Sequence, residues 1–252
     1  MRLLSFTHKT TVSLLLFLCF WVLLSFIKND VSVLPGPYEV WLAAIQEFQT
    51  GELYTHTIAT LYRVVLSFGI AMTFGLVFGL LLGRFTRLND YFNPWVIILQ
   101  NTPALVVIVL CYLWIGLNET AAVLAVCINK TAMVTVMIRE GVQSMDPKYS
   151  EVAKVYNFSR LKHFRLVILP QISPFIFAAA RNGLAVIWKI VLVVEFLGRS
   201  NGIGFQIHLY FQLFETSYVM AYAFSFVAII GCIEYMIIKP LEQYANKWRL
   251  LR

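Results

Sequence analysis

Four charged side chains fall inside otherwise apolar stretches of the sequence: Lys130, Arg181, Lys189 and Glu195. Charge held away from water is costly, and where it occurs it tends to mark an ion or solute path. Arg181 and Lys189 stand eight residues apart, which places them on roughly one face of a helix. Glu195 lies six residues beyond Lys189, too far round for a simple helical pair. Two readings stand side by side. In one, Lys130, Arg181 and Lys189 line a polar pathway suited to an anion, with Glu195 a further candidate; in the other, these cations pair structurally with Glu195, Glu140 or backbone carbonyls. Arg63 and Arg139 lie near the ends of apolar stretches, where a long side chain can snorkel to the interface.

Other chemistries find no residues to carry them. The four cysteines (Cys19, Cys111, Cys127, Cys232) sit singly in apolar stretches, and the four histidines are scattered, so no metal-ligand spacing and no cofactor is expected. Gly79 to Arg84 superficially suggests a phosphate loop but lacks its lysine and hydroxyl, so ATP hydrolysis would have to come from elsewhere. There is no nucleophile elbow and no HExxH, and an enzyme reading has little support.

The elements that must position these charges are membrane helices. Hydrophobic residues make up 60% of the chain and charged residues 13%, against about 25% charged in soluble domains. A bilayer core of about 30 Å requires roughly 20 apolar residues per helix. Six stretches qualify: Val12–Ile27, Ile58–Leu82, Pro94–Leu117, Ala121–Ile138, Pro170–Leu197 and Tyr218–Ile238. The first lacks a small-residue cleavage site and reads as an uncleaved anchor. Arg2, Lys9, Arg84, Arg87, Arg139, Lys148, Lys154, Arg160, Lys162, Arg165, Lys239, Lys247, Arg249 and Arg252 fall on one side, with only Lys28 and Arg199 on the other. The positive-inside rule then puts both termini in the cytoplasm. The formal charge of +7 is spread between apolar runs, which suits anionic lipid rather than nucleic acid.

Between the first two spans, Val33-Leu34-Pro35-Gly36-Pro37 breaks the chain, and Val40, Trp41, Ala44, Ile45 and Phe48 then recur at helical spacing, predicting a short interfacial helix. Span two carries Ser67, Ala71, Gly75, Gly79 and Gly83 along one face, which permits close helix packing, either within the subunit or between two copies. Between spans four and five runs a long cytoplasmic loop. Asp146 and Pro147 read as helix N-cap and first turn, Asn157 as a left-handed stop, and Ser159 as the cap of a second short helix, whose Leu161, Phe164 and Leu166 can point one way. Pro170 reads as the start of the next span.

That loop, from Glu151 to Pro170, resembles the cytoplasmic loop of ABC importer permeases, a Glu-Ala-Ala, Gly, Ile-x-Leu-Pro pattern at fixed spacing. Glu151 and Ala153 match, Asn157 stands at the Gly position, Val167 at the Ile, and Leu169-Pro170 at the Leu-Pro; Val152, Asn157 and Val167 depart mildly. Leu34-Pro35-Gly36-Pro37, Gly51-Glu52-Leu53, Leu61-Tyr62-Arg63-Val64, Trp188, Val194-Glu195-Phe196-Leu197-Gly198 and Gly202-Ile203-Gly204 are similar to the nitrate, taurine and alkanesulfonate permeases, whereas Asn129-Lys130-Thr131 is not.

The resemblance implies an all-α type I importer permease with six transmembrane helices in the bacterial inner membrane. Its segments would be an N-terminal anchor (1–28), a periplasmic interfacial segment (29–56), a permease domain (57–240) with a coupling loop (145–170), and a basic tail (241–252). Glu151, Ala153, Asn157, Phe158, Leu161, Phe164, Leu169 and Pro170 would couple to an ABC ATPase present in two copies. A periplasmic or lipid-anchored binding protein and a second permease copy complete the implied set, and the solute is a small anion such as a sulfonate or nitrate, or a related small organic compound. A six-span secondary transporter or channel is the alternative, although neither intramembrane carboxylate pairs nor repeat symmetry is evident.

Overall fold

The computed structural model describes residues 2–238 and Pro240, with side chains for residues 11–236 and for Pro240; Lys239 and the basic segment 241–252 lie outside the described residues. Among these the secondary structure is entirely helical. In order the helices are α1 (Arg2–Lys28), α2 (Pro37–Thr50), α3 (Glu52–Arg84), α4 (Thr86–Asn101), α5 (Ala104–Ile115), α6 (Glu119–Gln143), α7 (Pro147–Val155), α8 (Arg160–His163), α9 (Leu169–Gly198), α10 (Ile203–Gln212) and α11 (Thr216–Ile233). Five helical stretches are long and apolar enough to cross a membrane, and six if α4 and α5 count as one bent span.

The third span is where expectation and structure part. Pro94–Leu117 is not one straight helix: Pro94 sits inside α4, and the chain turns by 96° between α4 and α5. The break falls at Thr102-Pro103. Pro103 has no N–H to donate and forces Thr102 into an extended conformation (φ −70°, ψ 125°), which ends α4. At 12 residues, α5 is about 18 Å long and cannot cross the bilayer core alone.

The centre of the bundle is α3, α6 and α9. Glycines on α3 let it lie directly on α6: a Cβ at Gly75, Gly79 or Gly83 would come within 2.5–2.6 Å of the Cβ of Val134, Ile138 or Val142, respectively. The small-residue stripe thus packs inside the subunit, each glycine receiving one residue of an i, i+4 row on α6. Val64, Ile108, Val126, Ile187, Val191 and Tyr222 fill the main core, shared by α3, α5, α6, α9 and α11.

Helix α2 begins at Pro37 and stops where Gly51 takes φ +83°. Its buried face is Val40, Ala43 and Glu47, while Trp41 and Phe48 are exposed, so the inward face is rotated from the one its apolar spacing suggested. The reason is polar: Glu47 accepts hydrogen bonds from the hydroxyls of Tyr210 (2.8 Å) and Tyr222 (2.5 Å), which turns it toward α10 and α11. Helix α1 stands largely apart, joined through Trp21, whose Nε1 donates to the Pro35 carbonyl at 3.0 Å and whose ring lies 5.1 Å from Phe224.

Candidate functional site

The loop joining α6 to α9 folds as two capped turns. Asp146 accepts from the Lys148 N–H at 2.9 Å and Pro147 fills the first turn of α7. Asn157 adopts φ +50° and closes α7, with the Phe158 N–H donating to the Ala153 carbonyl at 2.9 Å. Ala153 is buried, while Glu151, Val152, Val155, Tyr156 and Leu161 are exposed. Three cross-links hold the shape: His163 Nε2 lies 3.3 Å from Ser150 Oγ, the Asp146 N–H donates to Gln171 Oε1 at 3.0 Å, and Lys162 Nζ sits 4.5 Å from the Phe158 ring centre. Phe158 is half-buried, and Phe164 and Leu169 are exposed. The result is a compact knob that exposes Val152, Val155, Tyr156 and Leu161 among the charged residues Glu151, Lys154, Arg160 and Lys162.

Pro170 stands in the first turn of α9, and no break precedes it. The chain is helical without interruption from Arg160 to Gly198, through one wide π turn at Phe164–Ile168 in which the Leu169 N–H reaches back to the Phe164 carbonyl. Widening the backbone immediately before Pro170 accommodates its ring and missing donor without a kink. The knob and the membrane helix α9 are therefore one mechanical piece.

On that same helix, Arg181, Asn182, Trp188 and Lys189 line a cavity of about 400 Å³ closed by Ile230 and Glu234 near α11. Arg181 and Lys189 are both exposed to it or to its mouth. Lys130 does not join them: it is 2% exposed on α6, its Nζ 2.9 Å from Met133 Sδ.

Glu195 also lies apart, at the opposite end of the molecule from α7 and α8, at the centre of a charge network. Its carboxylate is fully buried and accepts from Arg63 Nη1 (2.7 Å), Thr60 Oγ1 (2.9 Å) and the Gly204 N–H (2.9 Å). Arg63 also forms a fork with Glu119 (2.7 and 3.0 Å) and donates to the Asn201 carbonyl (2.9 Å) and side chain. Arg199 reaches Glu119 at 2.9 Å. The Gly202 N–H donates to His56 Nδ1 at 2.9 Å, so the ring's other nitrogen carries the proton and faces Glu52 at 3.1 Å. Gly202 (φ +112°) lies directly on the Glu195 carboxylate, where a Cβ would collide.

Arg63 thus does not snorkel. It is 3% exposed, because two carboxylates and a carbonyl already satisfy its guanidinium inside the bundle. The network was legible in part: His56, Thr60 and Arg63 continue the Ser67-Ala71-Gly75 face of α3, which is the face turned to protein. Its partners Glu119 and Asn201 carried no signal, since they come from distant turns. Arg139 is likewise held, donating to Asn89 (3.1 Å) and Asn93 (2.6 Å).

An all-helical membrane subunit, whose α7–α8 loop runs unbroken into a helix bearing Arg181 and Lys189, has the architecture of a membrane transport component. Residues 71–239 match the family of binding-protein-dependent transport system inner membrane components, and the chain belongs to that family. It is the permease component of an ABC importer, a multi-pass protein of the inner membrane that works with an ATPase and a substrate-binding protein. It is 31% identical to the putative aliphatic sulfonates transport permease SsuC of Bacillus subtilis, over 87% of this chain and 79% of that one. It is 26% identical to the taurine transport permease TauC of Escherichia coli (85% and 80% covered) and to the bicarbonate transport permease CmpB of Synechococcus elongatus (93% and 86%). Among solved structures, an amino acid ABC transporter superposes with a TM-score of 0.63 at 24% identity, covering 80% of this chain and 96% of that one. The inward-facing MetNI methionine transporter superposes with a TM-score of 0.61 at 14% identity, covering 75% and 96%; both establish the fold alone.

Proposed function

We propose that two copies of this chain form a pore for a small anion, with both termini cytoplasmic, and that two copies of a separate ATPase drive it by docking on the exposed crown of α7 and α8. In this reading the segments are the anchor 1–28, the periplasmic segment 29–56, the permease domain 57–240 with its loop 145–170, and the tail 241–252. Glu151, Phe158, Leu161 and Phe164 meet the ATPase, Ala153 and Asn157 shape the knob, and Leu169-Pro170 transmit its motion. Arg181 and Lys189 meet the solute, Lys130 adds positive potential from behind the wall, and Glu195 holds the outer end together. The sulfonate, taurine and bicarbonate named for the relatives are all small solutes with an anionic group, which suits a cavity where two cations, Arg181 and Lys189, outnumber one carboxylate, Glu234.

One observation carries the reading: the helix that bears the knob at Leu161 also bears Arg181 and Lys189, with no flexible break between them. Displacing the knob therefore displaces the cavity wall. A rigid lever of this kind converts closure of a partner's dimer into a change of access. The test is co-purification. The ATPase should come down with the wild-type permease and be lost with Glu151→Lys combined with Leu161→Asp, while the permease itself still reaches the membrane. Full retention of the ATPase would defeat the assignment.

A further inference from the structure

Between α3, α4 and α6, on the half of the bundle nearest α7, lies an apolar cavity of about 530 Å³, separate from the one that Arg181 and Lys189 line. Phe74, Phe78 and Leu82 of α3, Phe92 and Trp95 of α4 and Thr131 of α6 line it. It exists because α4 leans on α3 and α6 without burying a single residue of its own. The Thr102-Pro103 bend turns the chain away before α4 can close on the core.

We propose that this groove holds one acyl chain of an anionic phospholipid whose phosphate rests at the α3–α4 turn. Size is the first argument. At about 530 Å³ the groove has room for a long slender apolar ligand such as one fatty-acyl chain. Direction is the second. From Ile70 to Leu82 the lining of α3 runs about 18 Å along the helix axis, close to the depth of one leaflet of a hydrocarbon core about 30 Å thick.

Charge is the third argument and selects the headgroup. The groove ends at the turn bearing Arg84 and Arg87, both exposed and without hydrogen bond or ion pair among the described residues. Arg139 lies at the same mouth, positioned by Asn89 and Asn93. Asp90 and Glu140 are nearby and exposed, and neither forms an ion pair with these arginines, so the turn remains net positive. Basic side chains at the membrane surface attract anionic lipid headgroups. The leaflet assignment rests on the orientation proposed above; the site itself does not.

Native mass spectrometry of the permease–ATPase complex, supplied separately with phosphatidylglycerol and phosphatidylcholine, tests this. The wild type should retain phosphatidylglycerol at least tenfold more strongly than phosphatidylcholine. Arg84→Gln with Arg87→Gln should erase that preference while leaving residual binding of both lipids. Thr131→Phe, or Leu99→Trp at the exposed rim if the first fails to assemble, should abolish retention of either lipid while the ATPase still co-purifies. Unchanged retention in a groove-filled variant would overturn the proposal. So would efficient disulfide cross-linking of Leu99→Cys to a second permease copy in native membranes, which would show that protein covers the groove. Loss of the ATPase in the coupling-loop variant bears on transport alone, so the two proposals fail separately.

Discussion

Arg63 on α3 and Glu195 on α9, 132 residues apart in sequence, meet at 2.7 Å with the carboxylate sealed from solvent. Around this pair, Thr60, Glu119, Arg199, Asn201 and the Gly202–Gly204 backbone close a network that ties α3, α6, α9 and the start of α10 into one block. The network thus pins the end of the bundle that lies away from α7 and α8.

Breaking the pair should therefore damage the fold before it damages recognition. Arg63→Ala leaves a buried carboxylate uncompensated, a loss of about 3–5 kcal/mol for a partner removed from a buried ion pair. Thermal unfolding in detergent should show a large downward shift. Removing both charges, as Arg63→Met with Glu195→Gln, should recover much of it, because neither group is then left charged and alone. Equal destabilisation by the double variant would rule out a charge-pairing role.

Lys189→Gln should act in the opposite manner. The complex should assemble and hydrolyse ATP at near wild-type levels while solute uptake falls about tenfold or more, the scale of about 1.4 kcal/mol lost from one contact. Lys189→Arg should retain most of the uptake. Unchanged uptake with reduced assembly would assign Lys189 a structural role instead.

Gly79 faces Ile138 so closely that any side chain must displace α6. Gly79→Leu should destabilise the bundle by at least the 1–3 kcal/mol typical of overpacking, read as a lower yield of monodisperse protein. Gly69, with open space around its absent Cβ, is the control: Gly69→Ala should be neutral or slightly stabilising.

Asn157 holds φ +50° at the end of α7. Asn157→Gly should preserve ATPase binding, whereas Asn157→Val should weaken it, since the left-handed conformation costs a residue with a Cβ roughly 1–2 kcal/mol. Pull-down of the ATPase across this pair measures the effect, and equal binding by both variants would show that the turn does not set the knob's shape.

Much of this was legible in order along the chain. Apolar run lengths located the spans, and the local chemistry of Asp146, Pro147, Asn157 and Ser159 marked both turns of the docking knob, since each cap depends on neighbours a few residues away. The sign and placement of Arg181 and Lys189 likewise followed from helical spacing, and the structure sets them on one cavity. What could not be read lay in contacts between distant segments. Arg63 gave the appearance of a snorkelling arginine because its carboxylate partners are 56 and 132 residues away. Glu47 broke the apolar spacing of α2 because its tyrosines come from α10 and α11.

One local feature, the bend in the third span, was misjudged, and it contrasts with Pro170, which stands in the first turn of α9 as its sequence suggested. Pro103 ended a helix and Pro170 did not, although each follows an apolar run. The difference lies in the backbone before them: Thr102 goes extended, whereas the π turn at Phe164–Ile168 widens to admit the ring. Which outcome occurs depends on what the next segment packs against. Composition, span length and capping residues by themselves determined that the chain is a helical membrane protein with a twice-capped loop between two of its spans, because desolvation and backbone geometry act locally. Tertiary structure alone decided which charges are satisfied, where the third span bends and which residues share a cavity, because those depend on partners that only folding brings within reach.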